Sequence, residues 1–397
     1  MEIYSPKLFI EINNLEYTFV VGDKNKNNQF KLVYNHTVPT QGMPNYRVTD
    51  FDLVFNIIKK NIYLIEQELN FTFKDITLII DNFNCSFINL TGFKRLNGSQ
   101  ILKENIIYIL NSLKSKIDEV ESKKTILHIF NSKYYLDKKK IENLPIGLFG
   151  DFYSHELSFI LINNNDFKNL INIFDRCNLK INKILLKSFV EGSYRSNNNS
   201  DLDTFFQIKI NKKNSQVFYF ENDALKFEQN FNFGSDLILN DISKITSLKK
   251  DKVKKILLNS NLAQVAPGEE FIEKIYFENE NYRKIKKKLI IDIAEARIKE
   301  LSEIIITNNI NFITYQNNNT IFLQIDDKSN FKCFEDSYVL SFSKQKNFIV
   351  KFVENIEYKD FIYNANKLVQ FGWKKEAVPV IHPKKSLIAR FFNALFE

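Results

Sequence analysis

Long hydrophobic runs are missing from this sequence of 397 residues. No stretch of about 18 apolar residues could cross a bilayer as a helix, and the N-terminus lacks the basic and apolar segments of an export signal. A protein that is neither exported nor membrane-spanning is the expectation. Cysteine is scarce too: Cys85, Cys177 and Cys333 are odd in number, widely spaced and free of any CxxC or Cys/His cluster. That excludes zinc sites of the usual spacing and points to three buried thiols in a reducing compartment. The four histidines, His36, His128, His155 and His382, are too scattered for a metal centre and read as structural or exposed groups. No P-loop, GxSxG or HExxH pattern occurs, so no metal and no catalytic constellation is expected, and the chain reads as a non-enzyme.

Arginine is the scarce cation. Lys and Arg total 55 against 47 acidic residues, a net charge of +8, yet only seven of the 55 are Arg. With abundant Asn, Ile and Phe, this is the codon bias of an AT-rich genome rather than a signal for nucleic acid. The lysine runs at 138–140 and 286–288 lack the interleaved aromatics and glycines of an RNA platform and read as solvated faces.

What is present is apolar mass, 44% hydrophobic and 14% aromatic, enough for two lobes of roughly 150 to 200 residues each. Residues 9–23, FIEINNLEYTFVVGD, read as a hairpin turning at Asn13 and Asn14, which a strand around 30–34 can extend. A helix with an acidic N-cap runs from residue 49 or 50 to 68, and 76–81 is a buried strand. These form the first lobe, 1–82, which resumes at 164–190 with a helix (166–177) and a strand (180–185). Between them, 83–163 is an α+β insertion: strand 87–91, helix 99–119, strand 125–129, hairpin 135–140, strand 156–162. Three strand-like runs between Leu202 and Lys226 open the core of a second lobe, 191–234. A helical subdomain, 235–308, contains helical segments at 235–259 and 281–306. Strand-like pieces at 311–315, 320–325 and 338–342 belong to 309–372, which completes the second core and returns to the first lobe. A Lys- and Pro-containing stretch, 373–385, should not pack and reads as a tether.

The last residues, 386–397, read SLIARFFNALFE. At 100° per residue Leu387, Ile388, Phe391, Phe392, Leu395 and Phe396 share one half of the wheel, opposite Ser386, Arg390, Asn393 and Glu397. So short a helix is poorly populated in water, whereas a bilayer interface that takes up the aromatic face favours it. Lys384, Lys385 and Arg390 add attraction to anionic headgroups, about 1 kcal/mol each. Docking on the protein's own body or on a partner groove is the alternative, but its place at the end of a tether favours a membrane foot. One foot binds weakly. Several on one assembly gain roughly 10² to 10⁴ in affinity, so self-association is expected.

Several segments resemble the FtsA family of bacterial cell-division scaffolds in order and spacing. TILHIFNSKYYLDKKKIENLPIGLFGDFYSHELSFILIN (125–163) is similar to the end of the family's inserted subdomain, with His128, Asp137, Pro145, Gly147 and Gly150 at matching places. KNLINIFDRCNLKINKIL (168–185), FNFGSDLILNDISK (231–244), IDIAEARIKELSEII (291–305) and the terminal SLIARFFNALFE resemble further family segments. The resemblance implies an α/β, actin-like two-lobed fold with ribonuclease H-like halves, an inserted α+β subdomain and a C-terminal amphipathic helix. It also implies filament formation, binding of the C-terminal peptide of the tubulin-like division protein FtsZ, docking of later division proteins, and peripheral attachment to the cytoplasmic face of the inner membrane at the division site. Arg297, with Lys288 and Lys299, stands where the family contacts the peptide, and a guanidinium fork suits carboxylates; a solvated helix charge is the alternative. A pilus-assembly adaptor, or an actin-like ATPase, are the other functions such a fold would allow.

The family ligand is ATP with magnesium, held by two glycine-rich hairpins and a later glycine pair whose backbone N–H groups close on phosphates. This chain has Asn13, Asn14 and Leu15 in the first turn, FFQIKINKKNS (205–215) in the second and FLQIDDKSN (322–330) in the third. The acidic residue that would orient magnesium is missing from the second hairpin, and only Gly234 keeps a matching glycine. A degenerate nucleotide site and no cofactor are expected.

Overall fold

The structure, a computed structural model, describes residues 5–377 except 25–29, 82, 200–201, 260–269, 278–280, 316–319, 327–331 and 345–347. The terminal helix, the tether beyond residue 377, His382 and positions 327–330 of the third turn therefore lie outside the described residues. The chain divides into two units: Leu186–Asn366 is one, and the sequence on either side of it is the other.

The first unit opens with an antiparallel meander, β1 (Lys7–Ile12), β2 (Glu16–Lys24) and β3 (Phe30–Pro39). Helix α1 (Phe51–Leu69) begins where the Asp50 carboxylate accepts the Leu53 N–H at 3.0 Å, and ends at Asn70 in the left-handed conformation. Its Val54, Ile58, Ile62 and Ile65 are buried at helical spacing. Strand β4 (Asp75–Ile80) then lies parallel to β1. The insertion comprises β5 (Ser86–Arg95), α2 (Lys103–Val120), β6 (Lys124–Leu136), β7 (Lys139–Ile141) and β8 (Phe152–Asn163), in the sheet order β5-β8-β6-β7. Ile109, Leu110, Leu113 and Ile117 of α2 join Leu157, Phe159 and Leu161 of β8 in one apolar cluster. After α3 (Asn164–Arg176), β9 (Lys180–Leu186) completes a sheet of order β3-β2-β1-β4-β9.

The second unit comprises α4 (Lys187–Asn197), β10 (Phe205–Ile210), β11 (Ser215–Glu221), β12 (Ala224–Phe231), α5 (Asp236–Thr246), α6 (Lys250–Asn259), α7 (Lys287–Ser302), α8 (Ile310–Thr314), β13 (Thr320–Ile325), α9 (Glu335–Lys344) and β14 (Ile349–Phe352). Helix α10 (Tyr358–Phe371) carries the chain back to the first unit. The sheet order is β12-β11-β10-β13-β14, with β13 parallel to both β10 and β14. Meander, parallel fourth strand and edge strand occur in the same order in both units. This duplicated arrangement is the pair of ribonuclease H-like halves expected of an actin-like fold.

Several local expectations need correction. Residues 311–315 and 338–342 are not strands: they fall in α8 and α9, where Tyr338 and Phe342, four residues apart, are buried together while Leu340 is exposed. The true fifth strand, β14, is a four-residue segment with little burial, and this hid it. Helix α2 starts at Lys103 rather than 99, because Ile101 donates to Leu148 O and accepts from Gly147 N. The helical stretch 235–259 breaks at Ser247, which adopts φ 55°, and α7 starts only at Lys287. The three thiols are half-buried rather than buried. Residues 373–377 pack instead of starting a tether: Trp373 is buried, Asn131 N donates to Lys375 O, and Ala377 N donates to Ile129 O, which adds a short edge to β6.

Candidate functional site

In the first unit the β1–β2 turn is closed by its own side chains. Asn13 Oδ1 accepts the N–H groups of Leu15 (2.8 Å) and Glu16 (2.9 Å), and Asn14 Oδ1 accepts the Asn45 N–H. A glycine turn would leave such N–H groups open to an anion, but here an asparagine amide takes them.

The corresponding turn of the second unit, between β10 and β11, is also closed. Asn211 N donates to Asn214 O, and Asn211 Nδ2 to Asn214 Oδ1. The carbonyls of Asn211 and Lys212 accept the N–H groups of Ser235 and Asp236 at the start of α5. Gly234 makes this approach possible, since a Cβ there would lie 2.1 Å from Asn211 O and 2.7 Å from Lys212 O. Its glycine is thus required by backbone packing. Just before the turn, Lys209 points inward and its ammonium donates to both carboxylate oxygens of Glu191 on α4, at 2.9 and 3.0 Å, each side chain only 9% exposed. A magnesium triphosphate needs open N–H donors and a spare carboxylate near this turn. At this turn the Asn211 N–H is already taken, the Glu191 carboxylate is committed to Lys209, and a cation stands where the family ligand would place its own, so these groups are not open to that ligand.

The three basic residues expected to meet a partner do not form one patch. Lys288 and Arg297, nine residues apart on α7, lie on opposite sides of the helix, whereas Lys288 and Lys299 share a side. Arg297 is neither solvated nor spare: its guanidinium pairs with Asp241 of α5 through Nε and with Glu300 at 2.6 Å through Nη1. Lys299 is 70% exposed and reaches Glu303 at 3.9 Å. In the lysine run, Lys287 is buried between Glu270 (3.2 Å) and Glu273 (2.7 Å), and the Glu273 hydrogen bond raises its pKa. It too departs from the solvated reading.

Around that buried lysine the chain builds a groove of about 400 Å³, lined by Lys284, Lys286 and Lys288 with Ile245, Leu289 and Asp292. Lys284, Lys286 and Lys288 are exposed while Ile285 and Lys287 between them are buried, and Ile285 also lines the groove. Ile245 is 60% exposed and Leu289 41%, so the groove is basic with an apolar floor. Such a surface suits a short acidic segment carrying aliphatic side chains. Lys284, Ile245 and Leu289 were not singled out from the sequence, and Lys286 was read only as part of a solvated lysine run; the alternation of Lys with buried residues was the available signal.

The chain matches no family model. It is similar to cell division protein FtsA of Buchnera aphidicola from Schizaphis graminum, 20% identical over 298 residues, covering 75% of this chain and 71% of the relative. It is also similar to FtsA of Escherichia coli K12, 17% identical over 299 residues, covering 75% and 70%. Among solved structures it resembles a chain of the PilM–PilN type IV pilus biogenesis complex, with TM-score 0.51, 9% identity, and coverage of 91% of this chain and 95% of that one. The fold is actin-like. Its sequence relatives are division proteins.

The Lys209–Glu191 pair is a feature the sequence reading did not foresee. Its one trace in the sequence is a lysine at an inward position of a central strand. A second unforeseen cluster lies in the first unit, where Glu376 Oε2 accepts from Lys183 Nζ at 2.7 Å and Glu376 Oε1 lies 3.4 Å from His128 Nδ1. Burial pushes the Glu376 carboxyl up, but the His128 hydrogen bond and the Lys183 ammonium more than reverse this and hold it below its usual range. A carboxylate only accepts, so His128 carries its proton on Nδ1. No helix among the described residues is long and apolar enough to cross a membrane.

Proposed function

We propose that this protein is a membrane-tethering scaffold of cell division, which carries the tubulin-like FtsZ polymer on the cytoplasmic membrane and self-associates to do so. The observation that carries the reading is similarity to FtsA over three quarters of the chain, with the duplicated actin-like topology that the family resemblance implies. The basic, apolar-floored groove beside α7 supports a peptide-binding role for the second unit: Lys284, Lys286 and Lys288 attract the carboxylates of the FtsZ C-terminal peptide, and Ile245 and Leu289 take its aliphatic side chains. The amphipathic segment 386–397 supplies the membrane foot. The pilus-complex likeness is one of fold at 9% identity, and it lends the pilus-adaptor alternative no residue of its own.

Deleting residues 386–397 and measuring co-sedimentation with anionic vesicles tests the tether: binding is expected to fall to background, and undiminished binding overturns it. For the peptide, Lys284→Ala, Lys286→Ala and Lys288→Ala together should weaken a labelled FtsZ C-terminal peptide by about tenfold, or ~1.4 kcal/mol. Fluorescence anisotropy with unchanged affinity would remove the groove from the reading.

A further inference from the structure

Lys209 sits two residues before the second hairpin turn, on the face of the sheet covered by α4. Its neighbours across the strands are neutral amides, Gln216 on β11 and Gln324 on β13. Gln324 Nε2 donates to Asp326 Oδ1 at 3.2 Å and Gln207 Nε2 to Gln324 Oε1 at 3.1 Å, so these amides form a bonded belt of their own. Gln216 in turn donates to Glu228 at 2.8 Å, whose other oxygen accepts from Ser188 of α4 at 2.6 Å. In this belt the Glu191 carboxylate is committed to the Lys209 ammonium through both oxygens. Two such charges survive burial only as a pair, because each alone is costly to desolvate.

We propose that the Lys209 ammonium, clamped by Glu191, is a built-in cation of the second unit: it takes the electrostatic place of a divalent ion, so the protein keeps its hairpin closed and works without magnesium or nucleoside triphosphate. Three separate features of the chain agree. The positive charge is covalent and buried, and it already occupies both oxygens of the Glu191 carboxylate that a metal ion would otherwise need. The turn carbonyls of Asn211 and Lys212 are bonded to the start of α5 rather than open to ligand. In the first unit, the Leu15 and Glu16 N–H groups are held by Asn13. The inference goes beyond the tethering reading, since a membrane foot and a peptide groove could operate with or without nucleotide. Vesicle and peptide binding report on the tether, whereas the measurements below report only on the cation.

The test uses the full-length protein. Titration with Mg-ATP in a calorimeter is expected to give no saturable heat, and melting temperatures in EDTA, in magnesium and in Mg-ATP are expected to coincide. Lys209→Asp removes the ammonium and leaves two facing carboxylates; its melting temperature should be lowered in EDTA and restored by several degrees with millimolar magnesium. Lys209→Met with Glu191→Leu, which removes both charges, should fold and ignore magnesium. Saturable micromolar Mg-ATP binding by the unmodified protein, or a rise of several degrees in its melting temperature, overturns the proposal. A folded Lys209→Asp protein indifferent to magnesium overturns it as well, because the pair would then be an ordinary structural ion pair. If Lys209→Asp does not fold, Lys209→Met takes its place: with Glu191 left unpaired, a rise of its melting temperature with millimolar magnesium upholds the built-in cation, and indifference to magnesium, or a saturable isotherm of the unmodified protein, rejects it.

Discussion

Lys209 and Glu191 show how differently one buried charge and a buried pair behave. Glu191→Leu alone strands the ammonium and should cost about 3 to 5 kcal/mol in urea unfolding, while adding Lys209→Met should recover most of that. Gly234 is a second residue whose identity is set by contact. Ala at this position forces its methyl into two backbone carbonyls that cannot rotate away, at 2.1 and 2.7 Å, and should destabilise the protein by roughly 3 kcal/mol. A drop of less than about 1 kcal/mol in urea unfolding would show that the hairpin can shift.

His155 carries the clearest dependence on pH. It is buried on β8 with ring centroids of Tyr134 and Tyr153 at 4.9 and 6.1 Å, and neither ring nitrogen has a hydrogen-bond partner among the described residues. Burial, then the nearby Lys375 ammonium, push its pKa down from 6.5 to about 4. The unfolded chain therefore binds one proton more than the folded chain between these values. Stability is unaffected above pH 6.5 and falls as pH drops toward 4, by about 3 kcal/mol in total. Unfolding measured across this range should show the fall, and His155→Phe, which keeps an aromatic ring in the slot, should flatten it.

At the scale of elements, the short edge formed by residues 375–377 on β6 is the instructive case. Two backbone hydrogen bonds join it to Asn131 and Ile129, and Glu376, only 12% exposed, fastens it to Lys183. Glu376→Gln keeps the shape and loses the charge, so about 1.5 kcal/mol of local stability should go with it. Amide exchange at Ala377 should quicken about tenfold while β8 amides stay protected. Equal acceleration throughout the insertion would mean that the edge and the subdomain open together. Because the Glu376 pKa is lowered, its contribution is complete above the ordinary value of 4.5 and is lost as pH falls through the lowered one. A proline-containing segment that read as a tether from Trp373 onward is thus anchored as far as Ala377, and whatever follows is attached at β6.

For the whole molecule, the proposed membrane foot and the proposed self-association stand together. A single twelve-residue amphipathic segment binds reversibly, so vesicle binding of the intact chain should rise steeply with protein concentration as feet are gathered on one assembly. Its dependence on salt should follow Lys384, Lys385 and Arg390. Co-sedimentation that rises only in proportion to concentration, and is indifferent to salt, would point to a monomer held by apolar contact alone.

Local patterns in the sequence determined the two meanders, the acid-capped first helix and the α+β insertion, because each is written in the spacing of neighbouring side chains. Only the tertiary structure decided that Lys209 meets Glu191, that Arg297 turns to Asp241 while Lys284, Lys286 and Lys288 line a groove, that Glu376 anchors the chain to the insertion, and that 338–342 is helical. Each of these depends on residues brought together from distant parts of the chain, or on which of two apolar faces finds a neighbour to bury it. Periodicity along the sequence carries neither kind of information.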